Sequence, residues 1–81
     1  MQTFTSSPPI PMALLRASET GRVVDVDGAP DFVTRLDEMG LRIGTQVRML
    51  QPGEPCLIAL DHQRLSFRGG DLFHVLVEVE H

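Results

Sequence analysis

A mainly β domain, five short strands curled into a small barrel with one short helix between the first and second, is the architecture this sequence predicts. Three observations lead to it. The chain is 81 residues long with 42% hydrophobic residues, enough for one globular core and too few for two. Five segments of five to seven residues carry two-residue alternation or short apolar runs, and Gly-, Pro- and Asp-containing turns separate most of them. One stretch departs from that period: Phe32, Val33, Leu36 and Met39 recur at three- and four-residue steps, the mark of an amphipathic helix. Short strands joined by tight turns curl because closure removes their open edges.

Residues 1–11 hold three prolines, two serines and two threonines with no periodicity, and read as a flexible tail before a domain spanning 12–81. The prolines there would suit a polyproline ligand, but a simple leader is the stronger reading. The apolar piece Ala13-Leu14-Leu15 is expected to pack over the domain as a flap.

Gly21 to Val26 is the first expected strand, with Val24 and Val26 inward and Arg22 and Asp25 outward. Asp27-Gly28 turns the chain, and Pro30 suits the first helical position, where a missing N–H costs nothing. The helix is expected near residues 31–39. Gln46 to Gln51 is the second strand, Val47 and Met49 facing in. Pro52-Gly53-Glu54-Pro55 is a turn signal. Cys56 to Leu60, Arg64 to Arg68 and His74 to Glu80 complete the set, with Gly69-Gly70-Asp71 breaking the chain before the last. One helix placed this early favours an SH3-like barrel over an OB-type barrel, whose helix usually comes later.

The hinge runs from Leu36 to Val47. Gly40 stands where a left-handed residue should end the helix, and Leu41 is the apolar residue that folds back on it. Gly44 marks a second turn before the strand. Leu36, Met39, Gly40, Leu41 and Gly44 are therefore the structural hinge residues.

At Leu36, Met39-Gly40-Leu41, Gly44-Thr45 and Val47 the sequence resembles the FeoA family, small cytosolic proteins of bacterial ferrous-iron uptake. The likeness extends to Gly21-Arg22-Val23-Val24, to Ala59 through Arg68 and to Val77-Glu78-Val79. Three departures stand out. Ile43 occupies a position where that family usually has proline, His62 one where it often has glycine, and Gly69-Gly70-Asp71-Leu72 replaces a polar turn. The resemblance implies an SH3-like barrel without catalytic activity that acts on the cytosolic part of the FeoB-type transporter, a membrane protein with a GTPase domain. The same barrel resembles the C-terminal domain of metal-dependent repressors of the diphtheria-toxin-repressor type, which is the alternative reading.

Residue chemistry narrows the function classes independently. Eleven acids against seven arginines give a net charge of -4 with no basic cluster, which speaks against nucleic-acid binding. No apolar run approaches the roughly 20 residues of a membrane span. The start lacks a signal-peptide pattern, and the single cysteine suits a reducing compartment, so a cytoplasmic location is expected. His62, His74, His81 and Cys56 are the available metal donors, but none forms a two-to-four-residue pair, and no metal or cofactor is expected. Cys56 has no neighbouring base and reads as a small buried hydrophobe. Asp25 and Asp27 read as a solvated strand end, not an acid/base pair. With no Trp or Tyr, the aromatic groove of a proline-binding module cannot be built. What survives is an interaction module for one protein partner, compatible with weak self-association. Its candidate contacts are Arg35, Glu38, Arg42 and Arg68, because arginine is favoured at interfaces for its planar donor fork.

Overall fold

Alternation of apolar and polar residues or a short apolar run sets the strands; glycine or proline follows those that end at Val26, Gln51 and Phe67, while Asp61-His62 ends the one that closes at Leu60. The computed structural model of the protein describes residues 8–80, and among these lie six strands and one α-helix. In chain order they are β1 (Ile10–Pro11), β2 (Thr20–Val26), α1 (Pro30–Glu38), β3 (Gln46–Gln51), β4 (Cys56–Leu60), β5 (Gln63–Phe67) and β6 (Val75–Glu80). Short 3-10 helices occupy Met12–Leu14 and Gly69–His74. All pairings are antiparallel, in the order β1-β6-β2-β3-β4-β5.

The inner face of this sheet carries Val23, Val47, Met49, Cys56, Ile58, Leu60, Val75 and Val77, all buried. Leu36 from α1 and Leu41 just past it cover one end, while Met12, Leu15 and Leu72 from the 3-10 segments complete the core. Of the apolar flap expected at Ala13-Leu14-Leu15, Leu15 is buried, with Met12 before it, while Leu14 is 54% exposed. Pro30 sits at the start of α1 and Asp31 in its first turn, where a carboxylate suits the positive end of the helix dipole.

Four expectations need correction. There are six strands and not five, because Ile10 and Pro11, expected in the flexible tail 1–11, pair with Val77 and Leu76 at the sheet edge, while residues 1–7 of that tail lie outside the described residues. The sheet also does not close into a barrel: β1 and β5 end the order with no ladder joining them. Pro8, Pro9 and Pro11 explain the short β1, since proline contributes no ladder donor. In β2 the core valine is Val23 and not Val24. The β2–β6 register runs Val23 opposite Val77, then Asp25 opposite Leu76, leaving Val24 as the extra residue of a bulge. Finally, Gly69-Gly70-Asp71 opens a 3-10 helix that buries Leu72 completely. In the β4–β5 turn, Asp61 has a positive φ of 30°.

Candidate functional site

The hinge is built by backbone hydrogen bonds that the helix would otherwise leave unmade. The Leu41 N–H donates to the Leu36 carbonyl at 2.9 Å and the Gly40 N–H to the Asp37 carbonyl at 3.0 Å. These are the two bonds of a Schellman cap, with Gly40 at φ +95° as its left-handed residue and Leu41 folded onto the core. The Thr45 hydroxyl donates to the Gly40 carbonyl at 3.1 Å, and the Arg42 N–H reaches the same hydroxyl at 3.3 Å. Gly44, at φ +96°, donates its N–H to the Val23 carbonyl at 2.7 Å, while the Val23 N–H donates to Thr45 at 2.9 Å. The hinge is thus strapped to β2 on one side and to α1 on the other.

Two arginines finish it. Arg22 donates from Nη1 to the Gly44 carbonyl at 2.9 Å and from Nε to the Glu80 carboxylate at 3.1 Å. The Gln46 amide also donates to Glu80, at 2.6 Å, and this bond, with Arg22 adding to it, holds the Glu80 carboxyl below its ordinary range. Arg42 donates from Nε to the Asp37 carbonyl at 3.3 Å and pairs with the Asp37 carboxylate at 3.2 Å. A cation at the C-terminal end of a helix is favourably placed, yet both side chains remain 62% exposed.

Beside that pair lies an apolar hollow of about 320 Å³, lined by Val26, Val33, Asp37, Leu41, Arg42 and Ile43. Ile43 forms one wall and is 68% exposed, the most exposed of the large hydrophobic side chains in the described chain. Two depressions on the outer side of β3 and β4, around Arg48, Ala59 and Asp61, are lined mainly by polar residues.

The four candidate contacts do not gather in one patch. Arg35 and Glu38 are exposed neighbours at i and i+3 on α1. At about 100° per residue, Arg35 lies roughly 160° around the helix from Val33, which lines the hollow, so this pair occupies the other flank. Arg42 alone of the four borders the hollow. Arg68 is remote: Gln63, at the start of β5, donates to the Met39 carbonyl at 3.0 Å, and Arg68 lies five residues further, about 16 Å along the strand direction. Ile43, exposed at the wall of the hollow, is not among these four candidates. Its signal was an isoleucine between Arg42 and Gly44, in a turn that offers no alternation to bury it.

A family model, the FeoA domain, matches residues 10–79. The chain belongs to the FeoA family. The crystal structure of an iron uptake regulatory protein, FeoA, superposes with a TM-score of 0.85 at 23% identity, covering 90% of this chain and 100% of that one. Stenotrophomonas maltophilia FeoA complexed with zinc, described as a prokaryotic SH3 domain protein and a candidate bacterial ferrous iron transport activating factor, superposes at 0.76 with 26% identity, over 93% of this chain and 98% of that one. A manganese-dependent transcriptional repressor shares the fold at 0.83 and 17% identity, covering 91% of this chain but only 42% of the repressor. No curated protein matches the chain.

Among the described residues no group of three or more His, Cys, Asp or Glu side chains gathers as a metal site, and no helix is long and apolar enough to cross a membrane. His74 packs its ring edge-on against Phe32, centroids 5.7 Å apart, and its carbonyl accepts the Asp27 N–H at 2.8 Å. His62 is exposed in a turn, and His81 lies outside the described residues. Burial pushes the Cys56 thiol above its ordinary pKa, the opposite of an activated nucleophile.

Proposed function

We propose that this chain is a non-enzymatic accessory protein of bacterial ferrous-iron uptake, acting in the cytoplasm on the cytosolic part of a FeoB-type transporter. The observation that carries this reading is the FeoA match across residues 10–79, nearly the whole described chain. The hinge face supports it physically. Arg42 offers its guanidinium from a rigid cap, and Ile43 stands exposed beside an apolar hollow, the pairing of apolar anchor and arginine that protein interfaces favour. Arg35 and Glu38 offer a second, purely polar contact on the opposite flank of α1, and Arg68 a third.

The likeness to a manganese-dependent repressor favours one second reading, a stand-alone relative of the repressor's C-terminal module that serves a metal-dependent DNA-binding protein. Ferrous uptake in cells decides between them. Deleting the gene should lower uptake, the parent gene should restore it, and Arg42→Glu should restore it poorly. Undiminished uptake in the deletion strain would end the transporter reading and leave the repressor-type reading in its place.

A further inference from the structure

The apolar hollow beside the hinge carries its own complement. Ile43 projects with most of its side chain in water, next to a recess whose other apolar walls are Val26, Val33 and Leu41. The recess is also bordered by one acid and one base, Asp37 and Arg42. Among the described residues Arg42 uses only its Nε and backbone N–H, to Asp37 and Thr45, leaving both terminal amino groups of the guanidinium without a protein acceptor. Asp37 correspondingly engages the arginine through a single carboxylate oxygen.

A patch that holds a protruding group, a recess able to receive it and both signs of charge is self-complementary. That is the requirement of a two-fold interface, where the same surface meets itself and residue i contacts residue j in both directions. The geometry points to a second copy of this chain as the occupant: a weak homodimer in which each Ile43 enters the other copy's hollow and each Arg42 reaches the other copy's Asp37. A partner with a purely acidic or purely basic surface would satisfy one of these charges and oppose the other. The patch is small beside a standard interface, so association is fast, reversible and confined to high concentration. Arg42 is enclosed in the dimer and mostly exposed to solvent in the monomer. The inference rests on the hollow and its rim, and does not depend on the transporter reading.

Sedimentation velocity of the full chain from about 10 µM to about 1 mM tests it, 1 mM being where weak complexes form. The parent should shift from monomer towards dimer across that range. Ile43→Asp should weaken the dimer at least tenfold with an unchanged melting temperature, and Ile43→Ser provides the same readout without an added charge. Asp37→Arg and Arg42→Asp should each be monomeric alone, since each homodimer would oppose like charges. Mixed one to one, they should form a heterodimer, because both cross-pairs are then opposite in sign. Phe73→Asp, on an exposed aromatic of the 3-10 helix before β6, should leave dimerisation intact. A parent monomeric throughout, an Ile43→Asp variant that dimerises like the parent, a mixture no more associated than its components, or loss of the dimer in Phe73→Asp would each overturn the inference.

Discussion

Replacing Gly40 with valine tests the hinge at its most constrained point. At φ +95°, Gly40 lies beyond the +50° to +70° well that other residues visit, and a β-branched side chain is among the least tolerant of that region. Crowding contributes little: an added Cβ would meet the Gln63 Nε2 at 3.4 Å and the Leu60 Cδ1 at 3.8 Å, both ordinary contacts. The cost is therefore conformational. A left-handed non-glycine residue costs about 1–2 kcal/mol, and strain at the upper end of such outliers brings a valine here to about 2–3 kcal/mol. For a domain of this size each kcal/mol moves the midpoint by about 4–8 °C, so the melting temperature should fall by roughly 8–24 °C. Circular dichroism melts of parent, Gly40→Val, Gly40→Asn and Gly70→Ala provide the comparison. Asparagine tolerates positive φ and should lose about half as much. Gly70 has no positive φ and nothing within 4 Å of its would-be Cβ, so alanine there should be near neutral. If Gly40→Val and Gly70→Ala melt alike, the capping argument is wrong.

Three further outcomes follow from the same structure. Gly21→Ala should destabilise by about 1–3 kcal/mol through crowding, since its Cβ would sit 3.1 Å from the Val77 Cβ and Cγ2 and 3.2 Å from the Glu78 carbonyl; a melt equal to the parent's would contradict this. Glu80 has its folded pKa held below its unfolded value, so its contribution is complete above the unfolded value near 4.5 and is lost as pH falls through the folded one. Gln46→Ala should raise the Glu80 pKa in a carboxyl NMR titration, and an unmoved titration would remove Gln46 as the main cause. Anaerobic titration with Fe(II) should show no stoichiometric micromolar site in the monomer, and one ion per chain abolished by His74→Ala would refute that expectation.

The hinge was the most legible part of the chain. Gly40, Leu41 and Gly44 announced their roles because glycine at positive φ and the apolar residue after it are local requirements, met within six residues. Strands β3 and β4 were equally plain, as their inward residues follow from alternation and an apolar run. What escaped depends on pairing between distant segments. The bulge that turns Val23 and not Val24 inward exists only because β2 is registered against β6. The two-residue β1 was hidden by its prolines, which speak against a strand until an edge partner is available. Gly69-Gly70 gave a breaking signal, and the 3-10 turn that buries Leu72 emerges only against the core. For the site, charge type identified Arg42 correctly as exposed but could not group it. The helix separates it from Arg35 and Glu38, and β5 carries Arg68 away. Arg22, expected to be a simple outward residue, instead joins the hinge carbonyl of Gly44 to Glu80 at the end of β6.

The central claim is that the hinge face of this FeoA chain binds the cytosolic part of a ferrous-iron transporter. Its most direct measurement is a calorimetric titration of the purified chain into that cytosolic domain, with GDP and then with a GTP analogue bound. Arg42→Glu serves as the paired variant, since it gives up only an exposed ion pair and a helix-end bond, about 1 kcal/mol of stability, and stays folded. Micromolar binding of the parent in at least one nucleotide state, on the order of -8 kcal/mol, with at least tenfold weaker binding by the folded variant, is the predicted result. Absence of binding in both nucleotide states, or binding by Arg42→Glu as tight as the parent's, would contradict it.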